Sequence, residues 1–100
     1  MAVVAKVSPD GKKLTISIKG RFDFACHQTF RHAYEETKRL TPVIVDLKET
    51  TYLDSSALGM LLLLRDHLGG EESEVKLINS SADVRKILGI SNFDKLFDIG

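Results

Sequence analysis

The sequence predicts a single α/β domain, in which helices pack on a mixed sheet of four to five strands. The chain has 100 residues, which is enough for one hydrophobic core and little more. Hydrophobic residues make up 43% and charged residues 28%, as in water-soluble globular proteins. The apolar spacing switches between period two and helical period along the chain. The switches give the order β-β-α-β-α-β-α-β over residues 1–100, treated as one domain.

The first two predicted strands form an antiparallel hairpin. Residues 3–7 are mainly apolar, and residues 14–18 alternate apolar with polar side chains, which indicates a half-buried strand. Between them, the Pro-Asp-Gly sequence of residues 9–11 favours a turn, because Pro restricts φ and Gly allows positive φ. Gly20 ends the second strand.

The spacing then predicts a helix over residues 24–40, followed by a strand over residues 43–47. Apolar residues that include Cys26 and Phe30 recur at helical spacing, while charged residues occupy the opposite face. Asp23 is placed to be the N-cap, and Pro42 stops the helix. Residues 43–47 are almost all apolar, which predicts a central strand covered on both faces.

The second half of the chain predicts two further helices. Leucines lie most of the way round the helix predicted over residues 55–68, which indicates deep burial, and Gly69-Gly70 ends it. Residues 43–78 form one βαβ unit, so its two strands should be parallel with a right-handed crossover. The Ser-Ser-Ala-Asp sequence of residues 80–83 begins a third helix that Gly89 closes. Residues 93–99 add a helical turn and a last strand.

Composition and motifs exclude several classes of function. Fourteen basic residues balance fourteen acidic ones, which argues against nucleic acid or an anionic membrane as the partner. The N-terminus carries no targeting signal, so we expect a cytoplasmic protein. Phosphate-loop, dinucleotide-binding, zinc-helix and nucleophile-elbow motifs are absent. The three histidines lack metal-ligand spacing, and Cys26 lies on an apolar stripe. We therefore predict no metal, no cofactor and no catalytic residue.

One polar segment lies where the third predicted strand meets the second helix. Asp54, Ser55 and Ser56 occupy the first positions of the helix, and the small residues Ala57 and Gly59 follow. Functional groups collect at the carboxyl ends of parallel strands, and free N–H groups at a helix start attract phosphate. Because Asp and Ser are also common N-caps, ordinary capping is the favoured interpretation of these residues on their spacing alone.

Residues 52–59, Tyr-Leu-Asp-Ser-Ser-Ala-Leu-Gly, closely resemble the D-S-S/T-G-L-G phosphorylation motif of STAS domains that act as bacterial anti-sigma factor antagonists. The Gly-Arg-Phe-Asp sequence of residues 20–23 resembles a second element of that family. The resemblance covers essentially the whole chain and is strongest to stand-alone antagonists of the HsbA type, related to the SpoIIAA and RsbV kind. Ala57 departs from the family pattern, which has Gly at that position.

The resemblance implies a partner switch in a protein that is not itself an enzyme. The unphosphorylated antagonist binds an anti-sigma factor that is often also its serine kinase. Phosphorylation breaks the complex, and a PP2C-type phosphatase restores it. By position the acceptor is Ser55, with Ser56 as the alternative. The residues implied in partner binding are Asp23, Asp54, Ser56, Ala57, Leu58 and Gly59.

Two other functions are compatible with the same fold. A structural STAS subunit of a membrane lipid-transport complex would use the helix start as a fixed docking surface, without phosphorylation. A small hydrolase would use Ser55 or Ser56 as its nucleophile. The hydrolase is the weaker hypothesis, because the sequence places no histidine in an evident position to act as its base.

Overall fold

The computed structural model describes residues 2–35 and 42–100, in which three α-helices pack on a six-stranded mixed sheet. The strands are β1 (Ala2–Val7), β2 (Leu14–Phe22), β3 (Val43–Asp46), β4 (Thr50–Leu53), β5 (Val75–Ile78) and β6 (Asp98–Ile99). The α-helices are α1 (His27–Glu35), α2 (Ser55–His67) and α3 (Ala82–Ile90), and 3₁₀ turns lie at Phe24–Cys26, Gly70–Glu72 and Phe93–Lys95. No helix within the described ranges is long and apolar enough to cross a membrane.

The sheet confirms the predicted fold class and topology. Its strand order is β1-β2-β3-β5-β6, and β4 pairs with the far end of β2. β1 is antiparallel to β2, and the turn between them contains Gly11 at a φ of +72°. β3 and β5 are parallel neighbours joined through α2, as the predicted βαβ unit requires.

The predicted count of four to five strands is too low, because strand β4 was missed. Residues 50–52 are β-branched and aromatic residues typical of strands, but the run is short and is soon followed by a helix. β2 is long enough to pair with β3 first and with β4 afterwards. The pairing with β4 contains a register shift between Gly20 and Arg21. The buried Thr50 hydroxyl donates to the Ile18 carbonyl at 2.7 Å, which ties β4 to the centre of the sheet.

Two predicted burial patterns are wrong. Side chains along β3 alternate between buried and half-buried, so this strand is covered on one face and not on both. Right-handed crossovers that all step in one direction put the helices on the same side of the sheet. Helix α2 likewise buries only one stripe, since Leu62 and Leu63 are 38% and 52% exposed. Ala57, Leu61 and Leu64 are completely buried and anchor it to the sheet.

Helix boundaries agree with the prediction in part. Asp23 caps the first helical segment as predicted, but the segment opens with the 3₁₀ turn before α1 begins. The predicted continuation of this helix over residues 36–40 lies outside the described residues. Gly69, at a φ of +110°, follows the end of α2 as predicted. Helix α3 runs through Gly89 to Ile90, and Asn92 takes the left-handed conformation expected of a glycine.

Candidate functional site at the start of helix α2

The pairing of β2 with β4 brings two predicted site residues to the same edge of the sheet. Phe22 and Leu53 are partners in parallel register, and each is the last residue of its strand. The next residues along the chain are Asp23 and Asp54, and the Asp54 amide donates to the Phe22 carbonyl at 3.4 Å. Two carboxylates therefore leave neighbouring strand ends together.

Each aspartate caps the helical segment that follows it. The Oδ1 atom of Asp54 accepts from the Ala57 amide at 3.0 Å, and that of Asp23 accepts from the Ala25 amide at 3.0 Å. Both residues have extended backbone, as N-caps do. A side-chain cap of this kind stabilises a helix by about 1 kcal/mol. The start of α2 is thus held by a carboxylate, and capping makes no demand on either serine.

The two serines differ in accessibility. Ser55 is exposed, whereas Ser56 is half-buried. Ser55 is also the first residue of α2, where backbone N–H groups lack partners within the helix and the positive end of the helix dipole lies. A kinase has to reach the hydroxyl that it modifies, so Ser55 is the more accessible acceptor.

The residues that follow the serines lie at three different depths. Ala57 is completely buried and donates its amide to the cap, so it supports the helix from beneath and does not reach a partner surface. This position corrects the expectation that Ala57 contacts a partner. Leu58 is half-buried and Gly59 is exposed. A Cβ added at Gly59 would meet no atom within 4 Å, so close packing does not require the glycine.

Three exposed side chains near the helix start were not predicted as site residues. The Arg21 guanidinium lies 4.7 Å from the centre of the Tyr52 ring, and its Nε is 3.5 Å from Oδ2 of Asp23. Phe24 is 69% exposed and stacks on His27, with ring centroids 5.5 Å apart. Arginine and aromatic residues are enriched in protein–protein interfaces.

The site offers no structural basis for metal chemistry. Among the residues that the structure describes, no three His, Cys, Asp or Glu side chains are grouped to hold a metal ion. His27 stacks on Phe24, while the ring of His67 packs 5.1 Å from that of Tyr34. Cys26 is buried, and its Sγ lies 3.4 Å from the Arg21 carbonyl, as expected for a core thiol.

These features define a class: a small α/β domain that presents an exposed serine at the start of an anchored helix. The chain belongs to the STAS domain family, since the family model described as "Mlab, STAS domain" matches residues 5–98. A STAS-domain containing protein of Pseudomonas aeruginosa strain UCBPP-PA14 is 61% identical over 101 residues, and the match covers 99% of each chain.

Solved structures confirm the STAS fold. A putative anti-sigma factor antagonist from Thermotoga maritima matches with a TM-score of 0.83 and 15% identity, over 97% of this chain and 84% of that one. The anti-sigma factor antagonist SpoIIAA in its unphosphorylated form matches with a TM-score of 0.73 and 18% identity, over 99% of this chain and 87% of that one. The phosphorylated form of Bacillus SpoIIAA matches with a TM-score of 0.68 and 18% identity, over 99% of this chain and 91% of that one. The finer resemblance to HsbA-type antagonists stays a prediction.

Proposed function

We propose that this chain is a cytoplasmic anti-sigma factor antagonist, without enzymatic activity, that changes partner when Ser55 is phosphorylated. The observation that carries the proposal is the division of roles at the start of α2. Asp54 caps the helix, and the exposed hydroxyl of Ser55 is left for a kinase to modify. The family membership and the fold shared with anti-sigma factor antagonists support the same assignment.

Phosphorylation would change the charge of the site while leaving the fold in place. The kinase transfers the terminal phosphoryl group of ATP to the Ser55 oxygen, which loses its proton, and ADP leaves. The product carries about −1.5 to −2 charge units at neutral pH. The helix dipole stabilises the added negative charge by roughly 0.3–1 kcal/mol, whereas the Asp54 and Asp23 carboxylates repel it. The buried leucines hold α2 in position.

The main effect would fall on the complex with the partner. An anti-sigma factor that is also a serine kinase would bury this surface, and a buried unmatched dianion costs several kcal/mol. A loss of about 4 kcal/mol weakens binding roughly a thousandfold, which is sufficient to exchange partners. A PP2C-type phosphatase would hydrolyse the phosphoserine and restore binding. ATP belongs to the kinase, so the proposal requires no nucleotide site on this chain.

The experiment is a pull-down from the native cytoplasm with the full chain as bait, run with and without phosphatase treatment. Ser55→Ala should capture the anti-sigma factor in both conditions, and Ser55→Asp should capture it poorly. Ser56→Ala and Ser56→Asp are the matched controls, and we expect much smaller differences between them. A folded Ser55→Ala variant that captures no anti-sigma factor would contradict the proposal.

The same pull-down separates the alternative functions. Constant association with a membrane ATPase, unchanged by either Ser55 substitution, would indicate a structural STAS subunit of a lipid-transport complex. Labelling of Ser55 or Ser56 by a serine-reactive probe would indicate a hydrolase. The proposed switch predicts neither result.

A further inference from the structure

Strand β1 is an edge of the sheet, and some of its backbone groups are directed away from its neighbour β2. The Ser8 amide donates to the Lys13 carbonyl at 2.9 Å, which identifies Ser8 as a residue that bonds towards β2. In an antiparallel pair, successive residues alternate between bonding to the partner strand and facing away from it. The outward N–H and C=O groups therefore belong to Val3, Ala5 and Val7.

Within residues 2–35 and 42–100, this edge carries little of the protection that sheet edges usually have. Its pairing with β2 is regular over all six residues, without a bulge, and the strand contains no proline. Lys6 is its single charged side chain, while Val4 and Val7 are 42% and 48% exposed. Soluble proteins usually guard such an edge with several charges, a proline, a bulge or a covering element. An extended strand is the partner that fits these groups.

We propose that the partner strand is β1 of a second copy of this chain, paired antiparallel about a two-fold axis at Ala5. In this register Val3 of one copy faces Val7 of the second copy, and Ala5 faces Ala5 of the second copy. All three outward-facing residues then exchange backbone hydrogen bonds, and the two sheets become one. The exposed Val7 side chain gains an apolar cross-strand neighbour. The interface is self-complementary, as two-fold symmetry requires.

Charge and backbone pairing together select this register over its neighbours. Antiparallel pairing about Ala5 places Lys6 opposite Val4 of the second copy. A register centred one residue further along would place Lys6 directly opposite Lys6 of the second copy, where like charges destabilise the pair. A register centred one residue earlier would leave the outward groups of Val7 without a partner in β1. The pairing about Ala5 uses every outward group and opposes no like charges.

Two substitutions at one position give the sharpest test, because the proposed register predicts opposite effects. Val4→Glu puts a carboxylate opposite Lys6 of the second copy at two symmetric places, and Val4→Lys puts an ammonium group there. By sedimentation equilibrium of the full chain, we expect Val4→Glu to tighten the dimer by about two- to thirtyfold and Val4→Lys to weaken it comparably. Equal effects of the two substitutions would overturn the register.

Hydrogen exchange of individual amides identifies the strand pairing itself. In a dimer joined through β1, the Val3, Ala5 and Val7 amides gain protection as protein concentration rises. The Val4 and Lys6 amides, which bond to β2, are protected at every concentration. A dimer in which Val3, Ala5 and Val7 stay unprotected would overturn the proposal, as would a protein that stays monomeric at millimolar concentration.

Ala5→Pro removes one outward N–H group without removing a bond to β2, and proline is tolerated on edge strands in that position. We expect a folded monomer by circular dichroism and sedimentation. A folded Ala5→Pro variant that dimerises as tightly as the unmodified chain would contradict the proposal. If Ala5→Pro does not fold, the Val4 substitutions and hydrogen exchange still decide it. The proposal is independent of the switch at Ser55.

Discussion

Helices α2 and α3 start with similar sequences and use their serines differently. Residues 54–57 are Asp-Ser-Ser-Ala, and residues 80–83 are Ser-Ser-Ala-Asp. In α3 the Ser81 hydroxyl is itself the cap, accepting from the Val84 amide at 3.2 Å. In α2 the Asp54 carboxylate is the cap, so the Ser55 hydroxyl takes no part in starting the helix. At the start of α2 the capping group and the exposed serine hydroxyl therefore belong to different residues.

The surroundings of the two helix starts differ as well. Ser80, just before α3, donates through both its amide and its hydroxyl to the Gly100 carbonyl, so this region is used for internal packing. The start of α2 instead follows β4, whose neighbour β2 leads into Asp23. Ser55 is exposed there. Helix α3 therefore supplies matched control substitutions for the site at the start of α2.

Phosphorylation of Ser55 should produce the largest difference. We expect the purified phosphoprotein to bind the anti-sigma factor roughly a thousandfold more weakly than the unmodified protein, because a dianion would be buried without a counter-charge. Isothermal titration calorimetry measures this ratio. Ser81→Asp is the control, since it adds a charge at the other helix start and retains a good N-cap. Equal loss of binding in Ser81→Asp would show that general charge, and not position, controls the complex.

Removal of the exposed aromatic ring of Phe24, beside Asp23, should produce the next largest loss of partner binding. We expect Phe24→Ala to weaken partner binding by about tenfold or more, as for aromatic anchors elsewhere, with little effect on stability. Ile90→Ala is the matched control, because Ile90 is 75% exposed at the far end of α3. Similar loss of affinity in both variants would place the interface elsewhere. The same calorimetric titration makes the measurement.

Ser55 and Ser81, the serines at the two helix starts, should differ in their contribution to the free energy of unfolding. Ser81→Ala removes a cap and should lower the free energy of unfolding by about 1 kcal/mol. Ser55→Ala removes no cap and should change it by less than about 0.5 kcal/mol. Urea denaturation followed by circular dichroism measures both values. Comparable destabilisation by the two substitutions would show that Ser55 also holds its helix.

Two exposed helical glycines give the smallest contrast. A Cβ added at Gly59 or at Gly89 would meet no atom within 4 Å, so alanine should raise the free energy of unfolding by about 0.5–1 kcal/mol at either position. Only Gly59→Ala adds a methyl group to the proposed partner surface, so only this variant should also bind the partner more weakly. Unchanged binding by Gly59→Ala would remove Gly59 from that surface.

The sequence predicted the features of the site that depend on local chemistry. Asp23 and Asp54 act as N-caps because capping involves amides two or three residues away, and such spacing is visible in the sequence. Local spacing alone could not place them together just after neighbouring strand ends, because that placement depends on the register between β2 and β4. The contact of Arg21 with Tyr52 was missed for the same reason.

Burial was predicted less well than element type. The leucines of α2 gave no indication of which stripe faces the sheet, and Leu62 and Leu63 were wrongly assigned to the interior. Ala57 has the small side chain expected on an accessible helix turn, yet it lies in the core. In both cases the helix rotation is set by packing against the sheet, which local spacing does not contain.

The proposed partner switch requires that Ser55 is the residue that receives the phosphate. Phosphopeptide mass spectrometry of the protein recovered from its native cells, while the cognate kinase is active, tests this most directly. The proposed switch predicts phosphate on Ser55, with Ser81 unmodified although it is also exposed. Protein that carries no phosphate at Ser55 under these conditions would contradict the proposed switch.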